Sequence, residues 1–319
     1  MWSLCRNFIR PALSTGGLPS LRRSVVAPPV SRSYGTSFNV PPSAEFVSRV
    51  SGIPTMNKLP HQESAEGLDA AFIGVPIDTG TSNRPGARLN TPVLRSGSAE
   101  LLLYHSRGVG HAAQLQQWNR AAPYDSLMVA DIGDVNVNLY DLKDTHGPVG
   151  LVHVDAHADT SDVVLGERIG HGTPFRRCVE EGLLDCSRVV QIGLRGSGYS
   201  ADSYAWSRFP CSAGGGVLVQ VSGSPDGGGQ GSDGGGPVYL SFDIDALDPG
   251  FAPGTGTPEI AGLTPIQGVE IIRGCRGLNL VGCDLVEVSP PYDTTGNTAL
   301  TGANLLFEML CVLPNVKYL

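Results

Sequence analysis

Short apolar runs that end in small or acidic residues recur along the chain from about residue 68. They stay hydrophobic at consecutive positions instead of alternating, which is typical of parallel strands buried on both faces. The pattern predicts six strands, at 69–78, 126–135, 147–157, 187–196, 237–248 and 278–288. We therefore expect an α/β fold with a largely parallel sheet, and functional residues at the carboxyl ends of its strands.

Three helices are predicted among these strands. Thr173-Pro174 and Thr264-Pro265 each offer an N-cap residue followed by a proline at the first helical position. Gln267 completes a capping box with Thr264. The apolar stretch at 298–312 predicts a closing helix.

Two segments interrupt this alternation of strands and helices. Residues 213–236 contain eleven glycines in twenty-four positions and few apolar residues, which predicts a flexible loop. Residues 136–147 link two predicted strands without helical apolar spacing, although a parallel crossover needs about a dozen residues or more and usually includes a helix. This link is too short for an ordinary crossover.

The N-terminus has the composition of a mitochondrial transit peptide, because it is rich in arginine and serine and has no acidic residue before Glu45. We assign residues 1–34 to the transit peptide, 35–67 to a linker or N-terminal extension, and 68–319 to the folded domain. A disordered tail without a targeting role is the alternative. The predicted location is the mitochondrial matrix.

Charge and hydropathy exclude some partners. The net charge is −8, and removal of the arginines of residues 1–34 lowers it to about −13, which argues against nucleic acid or an anionic membrane as a partner. No segment has the roughly 18 consecutive apolar residues of a membrane helix. The seven cysteines show no paired C-x-x-C spacing, as expected for reduced thiols inside a cell.

The sequence "HVDAHAD" (153–159) places acidic and imidazole side chains at every second position. In an extended strand, Asp155, His157 and Asp159 share one face and converge. A solvated strand end is the alternative. A second apolar strand ends in "DID", with Asp243 and Asp245 also on one face. Four carboxylates at neighbouring strand ends repel one another unless cations neutralise them, and oxygen-rich ligands with one imidazole favour manganese or magnesium over zinc.

Five motifs together resemble the ureohydrolase (arginase and agmatinase) superfamily, and most closely a mitochondrial agmatinase. They are "GVPIDTGTSNRPGAR", "HVDAHADT", "SFDIDALDP", "GTGTPEIAGLT" and "LVEVSPPYD". The resemblance implies an arginase-like three-layer α/β/α fold, two Mn²⁺ ions per subunit and a homo-oligomer, either a trimer or a hexamer. The implied reaction is hydrolysis of a guanidino group to urea and an amine, as in the conversion of agmatine to putrescine in polyamine metabolism.

The resemblance also implies individual roles. Asp155 and Asp243 would bridge the two ions, with Asp159 on one ion and with His157 and Asp245 on the other. Asp159 would in addition accept a hydrogen bond from the attacking hydroxide. His171 would carry protons to the leaving amine, and Glu287 would receive the guanidinium group of the substrate. For these two residues, a surface histidine and an ordinary acid at a strand end are the alternatives.

The chain departs from the family in one respect that affects the metal site. The family has a sixth ligand, the histidine of a "GGDH" motif, and this motif is absent here. A helix, a strand and a second helix are expected between Asp144 and Thr145, at the short link described above. Residues 89–123 also diverge, and 213–236 replace an ordered strand and helix. We therefore expect that one strand is missing from the sheet, that one metal site is weakened and that activity is impaired.

Three functions are compatible with these observations. The first is hydrolysis of agmatine or a guanidino acid, which share the guanidinium end and differ at the far end. The second is a non-catalytic member or isoform that modulates oligomers of the complete enzyme. The third is a deacetylase-like hydrolase with a single zinc ion, which would not need Glu287.

Overall fold

The computed structural model describes residues 38–41, 52–78, 80–89, 92–96, 121–134, 147–196, 206, 217–219 and 235–318. These residues belong to one compact unit that begins at Phe38. The predicted transit peptide, the junction between Asp144 and Thr145, and most of residues 89–123 lie outside the described residues.

Parallel strands dominate the structure, as the apolar runs predicted. Two of them form a parallel pair: β1 (Ala70–Gly74) and β3 (Val129–Asp134). Five others form a second parallel sheet. They are β4 (Val149–Val154), β5 (Leu184–Ile192), β6 (Val217–Val219), β7 (Pro237–Asp243) and β8 (Asn279–Val286). Their order across the sheet is β6-β5-β4-β7-β8. The α/β fold with mainly parallel strands is therefore confirmed.

All six predicted strands are present, but most are shorter than predicted. Three further strands are short: β2 (Ala121–Ala122), which pairs antiparallel with β9 (Lys317–Tyr318), and β6. β6 lies inside the glycine-rich range 213–236, so this range is not a loop throughout. Its Val-Leu-Val run adds a strand to the edge of the sheet beside β5. Most of the remaining residues of the range are outside the described part of the chain.

Within the described residues, the parallel strands are divided between two sheets, because no described strand links the β1–β3 pair to the other five. The sequence predicts that one strand is missing from the sheet, at a link that lies mostly outside the described residues.

The helices begin close to the predicted positions. The three predicted helices are observed as α1 (Pro174–Glu180), α2 (Pro265–Gly274) and α3 (Asn297–Cys311). The Thr264 hydroxyl accepts from the Gln267 amide, and the Gln267 side chain accepts from the Thr264 amide, so the capping box is confirmed. Thr173 precedes α1 as predicted but makes no capping bond, since its hydroxyl bonds the backbone of Gly170 instead.

Three clusters of buried hydrophobic residues form the core among the described residues, and two of them are large. One packs β4, β7, β8 and α2 together, and the other surrounds β3 and the segment near Tyr124. Met56 and Leu59 are buried in these clusters, and the Met56 amide donates to Asp131 Oδ2 at 2.6 Å. This part of residues 35–67 is therefore packed against the domain and is not a free linker.

No helix among the described residues is both long enough and apolar enough to cross a membrane. The cysteines that the structure describes, at positions 178, 186, 275, 283 and 311, are free thiols.

Candidate metal centre

The predicted metal-binding residues lie where β4 and β7 end, side by side in the five-stranded sheet. β4 ends at Val154, immediately before Asp155, and β7 ends at Asp243 itself. The register pairs Val154 with Phe242, so Asp155 and Asp243 are neighbours. The acidic cluster therefore occupies the carboxyl edge of the sheet.

The local backbone differs from the extended strand that the alternating pattern predicted. Residues 155–159 lie beyond β4, and Asp159 has a left-handed φ of 53°. Asp245 lies in a 3-10 turn, Ile244–Ala246, and the Asp243 side chain caps this turn by accepting from the Asp245 amide. The prediction of a common strand face is wrong for these residues, which converge because the chain turns after each strand.

One group of potential ligands consists of Asp155, His157 and Asp245, whose donor atoms lie within 4.8 Å of one another. His157 Nδ1 is 3.1 Å from Asp245 Oδ2 and 3.5 Å from Asp155 Oδ1. The Ala156 amide and the Thr257 hydroxyl donate to the two oxygens of Asp245, at 3.1 and 3.0 Å. Asp245 is therefore held in place from both sides.

A second group consists of His153, Asp155 and Asp159, again within 4.8 Å. Asp155 belongs to both groups. Asp243 belongs to neither of these two groups, and its Oδ1 accepts from the Asp245 amide at 2.8 Å. The structure thus brings four of the five predicted ligands into two groups joined by Asp155, with Asp243 buried beside them.

The negatively charged carboxylates of this cluster repel one another. Burial raises the pKa of Asp159 and of Asp243 well above the ordinary value, and the negative charges of neighbouring carboxylates raise both further. Burial and the charge of Asp155 raise the pKa of Asp245 to about 6. For Asp155, the effect of burial is outweighed by His153 and His157, which hold its pKa below the usual range.

A divalent cation fits these residues. Burial by itself lowers the pKa of His157, but hydrogen bonds to Asp155 and Asp245 outweigh it and raise the pKa to about 11, so an imidazolium offsets part of the negative charge. A cation would offset the repulsion between the carboxylates more completely. Carboxylate oxygens with an imidazole nitrogen are ligands for a hard or borderline ion, and the shared Asp155 suits two ions.

The two other predicted catalytic residues contact each other next to this cluster. His171 Nδ1 contacts Glu287 Oε1, and the His171 amide donates to the Gly80 carbonyl at 3.1 Å. Glu287 follows β8 with a left-handed φ of 62°. Its negative charge contributes to the raised pKa of Asp159 and of Asp243, so it lies close to the metal ligands.

The loop "GTGTPEIAG" (254–262) lies against the cluster. A methyl group on Gly256 would meet Glu287 Oε2 at 3.2 Å, so the backbone of this loop passes close to the Glu287 carboxylate. Glu259 Oε1 is 3.6 Å from His157 Nε2. Arg195 ties this loop to the turn after β7, because its guanidinium donates to the carbonyl oxygens of Glu259 and Asp245, each at 2.7 Å.

Sequence reasoning missed two buried polar residues below the acidic cluster, His153 and Gln191. Each is 1% exposed inside an otherwise apolar strand. The register pairs His153 of β4 with Gln191 of β5 and with Ser241 of β7, so the three side chains form a row. A buried polar residue two positions before Asp155 on the same strand face was the signal that could have revealed this row.

The chain is similar to known proteins of one family. The model of the arginase family matches the chain in two segments, residues 68–146 and 139–311. A mitochondrial agmatinase of Gallus gallus is 55% identical over 333 residues, covering 88% of this chain and 91% of the relative. A mitochondrial guanidino acid hydrolase of Homo sapiens is 53% identical, covering 87% and 88%. The solved structure of proclavaminate amidino hydrolase from Streptomyces clavuligerus aligns with a TM-score of 0.69 at 33% identity, covering 83% of this chain and 98% of that one.

The alignment is longer than the part of this chain that it covers. The alignment with the Gallus gallus protein spans 333 residues, whereas 88% of the 319 residues here is only about 281. About fifty aligned positions therefore have no counterpart in this chain.

Proposed function

This chain belongs to the arginase family, and we propose from this premise that it hydrolyses a linear guanidino compound to urea and an amine. The relatives named above are hydrolases. The observation that carries the proposal is Asp155, which is shared between two groups of potential ligands beside the contact between His171 and Glu287.

We propose manganese as the metal, with two ions per subunit. Asp155 and Asp243 would be shared, Asp159 would serve one ion, and His157 and Asp245 would serve the other. When bound, the ions supply a water molecule activated for hydrolysis. Burial raises the pKa values of Asp159, Asp243 and Asp245, and the charges of neighbouring carboxylates raise them further, which supports this proposal.

Glu287 is proposed to bind the substrate. A guanidinium group presents a planar fork of N–H donors, and a carboxylate accepts two of them in parallel. The Glu287 carboxylate lies beside Asp159 and Asp243 and is held near the loop at Gly256. This position would bring the carbon of the guanidinium group toward the acidic cluster.

His171 and Asp159 are proposed to handle protons and hydrogen bonds. His171 contacts Glu287 and would lie next to the leaving amine, to which it would transfer a proton. Asp159 would accept a hydrogen bond from the attacking water. Its left-handed backbone and that of Glu287 are costly conformations of the kind that cluster at active sites.

We further propose that this activity is impaired in the present chain. The arginase-family model matches the chain in two segments that overlap at residues 139–146. About fifty positions of the alignment with the Gallus gallus relative have no counterpart in this chain. The described parallel strands are divided between two sheets. These observations support the loss of the segment that carries the sixth metal ligand. The ion served by Asp159 would then lack its histidine, and we expect at least the 10–100-fold weakening that outer-shell changes cause. No observation favours the non-catalytic alternative.

The substrate, location and assembly follow from the same relatives. Agmatine and a guanidino acid are both candidate substrates, since the relatives include an agmatinase and a guanidino acid hydrolase. Both of these names specify mitochondria, which supports a mitochondrial location, with the matrix as the proposed compartment. We propose a trimer or hexamer of identical chains, which light scattering can measure.

The test is to purify the chain, load it with Mn²⁺, and measure both bound manganese per chain and urea release from agmatine and from 4-guanidinobutanoate. We expect manganese to bind and urea to form at a low rate that Asp155→Asn abolishes. The exposed Glu270 provides a matched control, because Glu270→Gln should change neither quantity. Absence of bound manganese and of urea above the Asp155→Asn background would overturn the proposal, and a rate at the level of the complete relatives would overturn the impairment.

A further inference from the structure

The buried pair below the metal ligands, His153 and Gln191, has hydrogen bonds that determine which ring nitrogen carries the proton. Gln191 Nε2 is 3.1 Å from the carbonyl oxygen of Ala158. A carbonyl oxygen can only accept, so this atom of Gln191 is the amide nitrogen and donates. The orientation of the Gln191 side chain follows from this contact.

The second hydrogen of the same amide group points to His153. Gln191 Nε2 is 3.0 Å from His153 Nδ1, and because the amide donates, Nδ1 must accept. A neutral imidazole that accepts at Nδ1 carries its hydrogen at Nε2. His153 Nε2 is 2.9 Å from Asp155 Oδ2, so His153 donates to this carboxylate.

Asp155 is thereby held at both oxygens. Oδ2 receives the hydrogen of His153, and Oδ1 accepts from the His157 amide at 2.5 Å. The His153 ring cannot turn easily, because it is 1% exposed and packs against Phe175 with ring centroids 4.3 Å apart. These contacts fix the plane of the carboxylate that both ligand groups share.

The hydrogen-bond pattern decides between two roles for His153. Its nitrogen lies within 4.8 Å of the donor atoms of Asp155 and Asp159, so proximity alone would allow it to replace the missing histidine ligand. A ligand nitrogen must offer a lone pair, however, and Nε2 carries hydrogen in the arrangement set by Gln191. Orientation of Asp155 is therefore the role that the contacts support.

We propose that Gln191 and His153 are positioning residues that orient Asp155 for metal binding, with Gln191 selecting the tautomer of His153. The proposal rests on the proposed function only where it concerns the metal, since the tautomer is a property of the metal-free protein. Neither residue was assigned a role by the motifs or by the family resemblance.

The first experiment is a long-range proton–nitrogen correlation spectrum of the isotope-labelled, metal-free chain, with His153 assigned by its absence in His153→Gln. We expect hydrogen on Nε2 and none on Nδ1. Gln191→Met removes the donor at nearly constant length and should shift His153 toward a mixture of tautomers, while Gln62→Met, at a loop glutamine that bonds Ser64 and Glu66, should not. Hydrogen on Nδ1 in the unsubstituted chain would overturn the proposal.

The second experiment is a Mn²⁺ titration followed by the signal of the free ion. His153→Met removes the donor to Asp155 and should weaken binding about 10–100-fold, as loss of an outer-shell partner typically does. His153→Gln places an amide donor near the position of Nε2 and should recover a large part of the affinity. Equal affinity of His153→Met and the unsubstituted chain, or equal loss in His153→Gln and His153→Met, would contradict a positioning role.

The two experiments separate failure of this inference from failure of the proposed function. If the unsubstituted chain binds no manganese, the proposed metal chemistry fails, and the spectrum alone decides the inference. In that case, an Nε2 hydrogen that depends on Gln191 supports the positioning pair, and its absence overturns the pair.

Discussion

His171 Nδ1 contacts Glu287 Oε1, although 115 residues of chain lie between them. β8 and the loop before α1 bring the two side chains together beside the acidic cluster. This carboxylate is paired with an imidazole in the free protein, and under the proposed function it would receive the guanidinium group of the substrate.

Glu287→Gln should therefore weaken binding of a guanidino substrate. The amide retains one acceptor but loses the negative charge, and hydrogen bonds to charged groups contribute about 1.5–3 kcal/mol each. We expect a loss of more than about tenfold in affinity, measured by calorimetry with 4-guanidinobutanoate and agmatine, and a parallel loss in urea release. Unchanged activity would instead agree with a deacetylase-like zinc hydrolase that makes no use of Glu287.

The stability of the metal-free protein should fall as the pH rises from about 4 toward neutrality. The folded-state pKa of Asp245 is raised to about 6, and those of Asp159 and Asp243 are also raised, so the folded state holds protons that the unfolded state releases near pH 4. The pKa of His157 is raised to about 11 in the folded state, from about 6.5 in the unfolded state. Its contribution to stability is therefore lost only as the pH rises above about 6.5. Mn²⁺ competes with these protons.

The increase in Tm caused by Mn²⁺ should therefore be larger at pH 7.5 than at pH 5. Thermal unfolding with Mn²⁺ and with a chelator, at both pH values, measures this difference. A manganese effect that is equal at both pH values would show that the raised carboxylates do not bind the ion.

Arg195→Met should loosen the turn that carries Asp245. Arg195 donates to carbonyl oxygens on both sides of the site, and a methionine leaves several of them without a donor. We expect a loss of about 2–3 kcal/mol in the free energy of unfolding, measured with urea, together with weaker Mn²⁺ binding. Arg195→Lys should not restore either quantity, since one ammonium group cannot reproduce the fork. Arg168→Met, at an exposed position, should change stability by less than about 0.5 kcal/mol.

Thr264→Ala removes the cap of α2 and should cost about 1 kcal/mol of stability. The hydroxyl that accepts from the Gln267 amide is lost, whereas no metal ligand is touched. Chemical denaturation should detect the loss, and the manganese content should stay the same. A change in manganese content would mean that α2 is coupled to the metal site.

Apolar patterning was sufficient to locate the strands, because parallel strands buried on both faces require continuous hydrophobic runs. It did not reveal the geometry after the strands. Alternation treated Asp155 and Asp159 as two positions on one strand face, but β4 ends at Val154 and the left-handed turn at Asp159 has no hydrophobic signature. Patterning of this kind is informative only while the strand continues.

The sequence signals a polar residue at His153, but its contact with Gln191 was missed for a different reason. Their contact depends on the register between β4 and β5, which pairs residues 38 positions apart. The short strand Val217–Val219 was missed for a similar reason. Its surroundings are rich in glycine, and it is identified as a strand by its pairing with β5.

Helix α3 contributes side chains to both of the large hydrophobic clusters. Leu305 and Met309 belong to the cluster around β7 and β8, and Phe307 and Leu310 belong to the cluster around β3. Because α3 provides side chains to both clusters, unfolding of this helix would expose apolar surface in each cluster at the same time. The two sheets, which share no described strand pairing, are thus coupled thermodynamically through α3 and should melt in a single cooperative transition.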